Sequence, residues 1–189
     1  PFTVQNPCPC FFTSKALERG GPMFLSSAII TVHLENLRHN LKTLLARHPS
    51  LMPVIKADAY GHCMPHALVR FARGGADIFA VANLYEASRV REIIPDKPVL
   101  VLSPVLAQER PLVFDYGATP AVSSYSEASA FAELARSRAK TLGVHIKLDT
   151  GMGRAGIWHE RAVGEIKKIL GLKAVSYTHL RAHETLMNL

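Results

Sequence analysis

The chain is poor in cysteine, with three in 189 residues and two of those crowded at Cys8 and Cys10, which does not make a disulfide framework. It holds no run of about 18 apolar residues, so nothing reads as a membrane-spanning helix. No basic-then-apolar leader precedes a small-residue cleavage site. One-sided charge is missing too. The net charge is +7, but the 22 Lys and Arg residues are scattered rather than gathered into a block, which disfavours a nucleic-acid-binding module. What remains, 48% hydrophobic and 20% charged, is the composition of a globular protein and excludes disorder. The compartment defaults to the cytoplasm.

The two ends lack the patterning of the middle. Residues 1–22, "PFTVQNPCPCFFTSKALERGGP", show no sustained period, and order begins at Met23. Either Met23 is the true start and the preceding residues are translated upstream DNA, or they are a floppy native terminus. Residues 175–185, "VSYTHLRAHET", follow from an in-frame reading of a transposase-type sequencing adapter. Residues 175–189 are therefore expected to be a non-native tail and are set aside from fold reasoning. His179 and His183 stand at i, i+4, a spacing that suits metal on a helix, but their place in that tail argues against a site. No metal is expected.

Between the ends, residues 23–174, the chain alternates strand and helix patterns. Leu34, Leu37, Leu41, Leu44 and Leu45 share one helical face. Short apolar runs follow at 53–57, 78–82, 98–103, 120–124 and 144–150, with a helical pattern in each gap. Ser124 and Glu127 fit a capping box that opens one of those helices. Repeated strand–helix units imply a parallel sheet covered by helices. No G-x-G-x-x-G follows the first strand, which disfavours a dinucleotide Rossmann domain. The expectation is an α/β fold, an incomplete TIM (β/α)8 barrel. Such barrels need about 250 residues, and five of the eight strand–helix units are countable, so the chain is read as a fragment with open sheet edges that promote aggregation.

Two lysines stand out. In "VIKAD" (54–58), alternation puts Ile55 and Ala57 toward the helices and Val54, Lys56 and Asp58 inward. In "VHIKLDT" (144–150), Val144, Ile146 and Leu148 share one face and His145, Lys147 and Asp149 the other. Both lysines thus enter near the C-terminal strand ends, where barrel enzymes keep their active sites. A structural reading pairs them with Asp58 or Asp149. A functional reading is an amine whose pKa burial lowers until it attacks a carbonyl, such as the aldehyde of pyridoxal phosphate (PLP). "DTGMGRAG" (149–156) follows, with glycines that let backbone approach a ligand and Arg154 able to hold a carboxylate. His62 and His66 flank Cys63, but Pro65 between them argues against a metal cluster.

"VIKADAYGH" and "HIKLDTGMGRAG" together resemble the two signatures of the alanine racemase family. "AIITVHLENLRHNL", "FAVANLYEASRVRE" and "PVLVLSP" are similar to the same family in the same order, over roughly 28–174. The resemblance implies PLP-dependent interconversion of L- and D-alanine, serving peptidoglycan synthesis, by a cytoplasmic homodimer. It implies that Lys56 carries PLP as a Schiff base and is one of two catalytic bases. Tyr60 would contact the cofactor phosphate, and Arg154 the cofactor oxygen and substrate carboxylate. Lys147 matches a lysine that many members carry as a carbamate, although an unmodified, salt-bridged lysine stays open. The opposite-face tyrosine belongs to a C-terminal β domain that this chain does not reach, so the chain alone is expected to be inactive. Two positions depart from the family: Cys63 stands where glycine is usual, and His33 where an acidic residue is common. The alternatives are a racemase of the same fold for another amino acid, such as serine, and a non-catalytic PLP-binding barrel. The latter lacks the "DTGMGR" loop, so Lys147 and Arg154 argue against it.

Overall fold

The computed structural model describes residues 31–48 and 50–181. Residues 1–22 and His183, on which the upstream-segment and histidine-pair readings rest, lie outside them. Among the described residues, no helix is long and apolar enough to cross a membrane.

The chain opens with α1 (Leu34–Leu45) and α2 (Lys56–Gly61), then runs α3 (Met64–Gly74), β1 (Phe79–Val81), α4 (Leu84–Ile93) and β2 (Val99–Val101). After a 3-10 turn come α5 (Arg110–Asp115), β3 (Ala118–Val122), α6 (Tyr125–Ser137), β4 (Leu142–Asp149), β5 (Ile157–Trp158), α7 (His159–Leu170) and β6 (Val175–Arg181). All the pairings are parallel: β1 with β2, β2 with β3, β3 with β4, and β4 with both β5 and β6. Val54 bridges Ala80 beside β1. Among the described residues that segment pairs only with β1, and β6 only with β4. The sheet is therefore open, part of a (β/α)8 barrel.

"FAV" and "VLV" are buried throughout, as expected of parallel strands covered on both faces. Ile55, Leu68, Phe79, Phe131, Ile146 and Ile169 are fully buried in the core between sheet and helices. Ser124 accepts the Glu127 N–H as the expected cap, and the Glu127 carboxylate reaches one residue past the cap to the N–H of Ser123 at 2.6 Å.

Four expectations need correction. The first strand is reduced to the Val54 bridge, because the chain turns away at Lys56. The fourth apolar run is a strand over 118–122 rather than 120–124. Pro120 sits inside the strand, paired with Val101, and Ser124 is spent on the helix cap. Leu44, expected on the apolar face of α1, is 51% exposed. Residues 175–181, set aside from fold reasoning, form β6, in register with β4 from Leu142↔Val175 to Leu148↔Arg181.

The loop after β4 folds back onto the strand it leaves. A Cβ on Gly156 would lie 2.6 Å from the Asp149 nitrogen and 2.7 Å from the Leu148 carbonyl carbon, and its φ is +130°. Both neighbours are backbone and cannot swing aside. Gly156→Ala is therefore expected to cost about 1–3 kcal/mol, the range for forcing atoms into packed space, measured as a lower denaturation midpoint.

Candidate functional site at the C-terminal strand ends

The sequence-predicted residues fall into two groups on one rim. Lys56 opens α2, immediately after the Val54 bridge. Ala57, Asp58, Ala59 and Tyr60 all hold φ between 50° and 55°, a left-handed turn of four non-glycine residues. This is why the expected alternation fails there: Ile55 is buried as foreseen, but Ala57 is exposed and Lys56 is half-buried rather than dry. The turn brings the Lys56 ammonium to 5.8 Å from the Tyr60 ring centroid, within cation–π range. Tyr60 itself is 59% exposed. Among the described residues, the Lys56 amine has no carboxylate partner.

The turn is anchored at both ends. The Ile55 N–H donates to the Ala80 carbonyl at 2.8 Å. The Ala57 N–H donates to Glu86 Oε1 at 2.8 Å, and Asp58 Oδ1 accepts the Met64 N–H at 2.7 Å. His62 Nδ1 lies 2.8 Å from the Ala59 carbonyl. That oxygen can only accept, so Nδ1 carries the proton. His62 is thus engaged with backbone, and among the described residues no three His, Cys, Asp or Glu gather as metal ligands. Cys63 has φ 63°, ψ 91°, a conformation suited to glycine.

The second group lies on β4. Lys147 and Asp149 are both 8% exposed on the inward face, as the alternation requires. They do not form a salt bridge. Lys147 Nζ donates to the Ala155 carbonyl at 2.7 Å, so the amine holds the returning loop against its own strand. Burial lowers the Lys147 pKa, the Arg154 charge lowers it further, and Asp149 opposes both. Asp149 Oδ1 accepts the N–H groups of Gly151 at 3.0 Å and Gly153 at 3.1 Å. Those two bonds, chiefly, hold its carboxyl below the ordinary carboxylate range. The amides of Gly151 and Gly153 serve Asp149, and a Cβ at either would meet nothing within 4 Å, whereas Gly156 serves the close approach of loop to strand. Arg154 is left exposed at the loop's tip.

His145 completes the inward row of β4, with Nδ1 buried and unpartnered among the described residues. Burial lowers its pKa. Between the Lys56 segment and β4 the sheet order places β1, β2 and β3. They share a rim without touching. Glu86 was missed as a site residue. "NLYE" at 83–86 has the same N-cap-to-N3 spacing as the recognised Ser124–Glu127 box, and that signal could have found it.

Residues 32–187 match the family described as "Alanine racemase, N-terminal domain". The alanine racemase of Carboxydothermus hydrogenoformans is 42% identical over 159 residues, covering 81% of this chain and 43% of that protein. Among solved structures, the alanine racemase of Clostridium difficile 630 in complex with cycloserine aligns with a TM-score of 0.74 at 28% identity, over 82% of this chain and 44% of that one. A histidine racemase from Leuconostoc mesenteroides aligns with a TM-score of 0.68 at 27% identity, over 77% of this chain and 41% of that one. The chain therefore spans less than half the length of these relatives. With its parallel open barrel, its rim lysines and a match over most of its length, the chain belongs to the alanine racemase family, as the N-terminal domain.

Proposed function

We propose that the full-length protein is a PLP-dependent alanine racemase, a cytoplasmic homodimer that supplies D-alanine for peptidoglycan. One observation carries the reading: Lys56, at the C-terminal strand ends of a racemase domain, presents an amine with no carboxylate partner among the described residues. The donor set suits PLP, with a primary amine for its aldehyde, a phenol beside that amine, and an exposed guanidinium at the same rim. Bound there, PLP supplies an electron sink for the pair left behind when the α-proton departs.

The chain's own residues divide the remaining work. Lys56 Nζ holds the cofactor aldehyde and moves the α-proton on one face of the substrate. Tyr60 donates its hydroxyl to the cofactor phosphate. Arg154 pairs with the substrate carboxylate, where a planar fork of donors gives orientation as well as charge. Lys147 takes up CO2: its neutral amine attacks the carbon, a proton leaves the nitrogen, and a carbamate anion forms beside the Arg154 charge that already lowers its pKa. The base for the opposite face comes from the remainder of the full-length protein. A racemase for another amino acid, such as serine, is the second reading, favoured by the likeness to a histidine racemase. Chiral analysis of products from a panel of L-amino acids decides between the two.

Three outcomes are expected of the full-length protein. Borohydride reduction with PLP labels Lys56, and Lys56→Ala loses both the label and racemisation; turnover with that side chain unlabelled sinks the proposal. Removing CO2 lowers activity, and Lys147→Arg, which cannot form the carbamate, is insensitive to CO2; intact mass reads the adduct. The third concerns the Arg154 loop. Because the folded Asp149 pKa lies below its ordinary 3.8, its contribution to loop order is complete above that value and is lost as pH falls through the folded value. Asp149→Asn keeps an acceptor for Gly151 and Gly153 but does not titrate, so amide exchange at those two glycines loses its acid-dependent rise.

A further inference from the structure

The left-handed turn after Lys56 is clamped by a single side chain from another strand–helix unit. Glu86 Oε1 accepts the Ala57 N–H at 2.8 Å, and Glu86 Oε2 accepts the Ala82 N–H at 2.7 Å. One carboxylate thus ties the residue next to Lys56 to the residue that follows β1. Its own backbone is fixed in turn, because the Glu86 N–H donates to Asn83 Oδ1 at 2.9 Å. Both partners of the carboxylate are donors, so only a side chain with two acceptors satisfies them. Glutamine would turn an NH2 toward one N–H and lose that bond.

The fold contains its own control. Glu127 occupies the same place in α6: its N–H is capped by Ser124, and its Oε2 accepts the N–H of Ser123 at 2.6 Å. The local cap is the same, but no bond runs from Glu127 to the Lys56 turn. What distinguishes Glu86 is the bond that crosses 29 residues to Ala57.

We propose that Glu86 is a positioning residue for Lys56, holding the turn so that the lysine amine meets the aldehyde of PLP; this rests on Lys56 being the cofactor lysine. The full-length protein is compared with its Glu86→Gln and Glu127→Gln variants by backbone amide exchange at Ala57, PLP titration and borohydride trapping. Glu86→Gln is expected to speed exchange at Ala57 and weaken PLP about tenfold, the scale of one charge-assisted hydrogen bond. Glu127→Gln, whose amide oxygen can still accept the Ser123 N–H, is expected to leave both unchanged. Equal effects from the two variants, or no effect of Glu86→Gln on PLP, reduce Glu86 to a helix cap and overturn the proposal. An unlabelled Lys56 in the parent protein overturns the functional reading and this proposal with it, while exchange at Ala57 still shows whether the clamp exists.

Discussion

Four successive L-residues in a left-handed turn, Ala57–Tyr60, impose the constraint on which the rim depends. Each such residue costs about 1–2 kcal/mol relative to a right-handed turn, so the surroundings must over-determine the conformation. Here they do so from three sides: the sheet through Ile55 and Ala80, the next helix through Asp58 and Met64, and the neighbouring unit through Glu86. The turn ends the first strand early and swings Lys56 out of the buried sheet interior. It also brings the Tyr60 ring beneath the lysine ammonium. A regular strand here would have sent residues 57–60 to alternate faces.

The two lysines are handled in opposite ways. Lys56 is half-buried and keeps an amine without a carboxylate partner among the described residues, which suits a group that reacts with a diffusible aldehyde. Lys147 is buried, bonded to the Ala155 carbonyl, and biased toward its neutral form by burial and by Arg154. Asp149 tempers that bias but is committed elsewhere, since Gly151 and Gly153 claim its carboxylate. The loop is therefore organised from within. Its amides and its one buried acid neutralise each other's demands, and only the Arg154 side chain is left facing solvent.

The repeating units were legible because parallel strands advertise themselves as short apolar runs, and because Leu34, Leu37, Leu41 and Leu45 recur at helical spacing. The inward row His145, Lys147, Asp149 was legible for the same reason, since β4 is regular along its whole length. The Lys56 turn was not. Nothing in "KADAY" forbids an extended strand, and alanine carries no local signal for positive φ; the conformation is imposed by tertiary hydrogen bonds that alternation cannot register. Cys63 marks the one place where a family glycine hinted at such backbone, and its φ of 63° accounts for that glycine. Gly156 misled for a related reason. Glycine announces freedom of the backbone but not what approaches it, and at Gly156 the visitor is the strand itself.

Glu86 shows how a barrel of repeated units acquires an asymmetric site. A polar N-cap followed three residues later by glutamate opens both α4 and α6, and both glutamates reach back to the N–H just before their cap. That device needs only one carboxylate oxygen. The second oxygen is surplus to capping, and whatever chain lies beside the cap can claim it. Beside α4 lies the strained turn, with an otherwise unmet N–H at Ala57, and the surplus acceptor meets it at 2.8 Å. The capping motif therefore stands independently of the turn, which is fastened to it. A side chain that would form its cap anywhere in the barrel touches the Lys56 turn only where the neighbouring unit carries it.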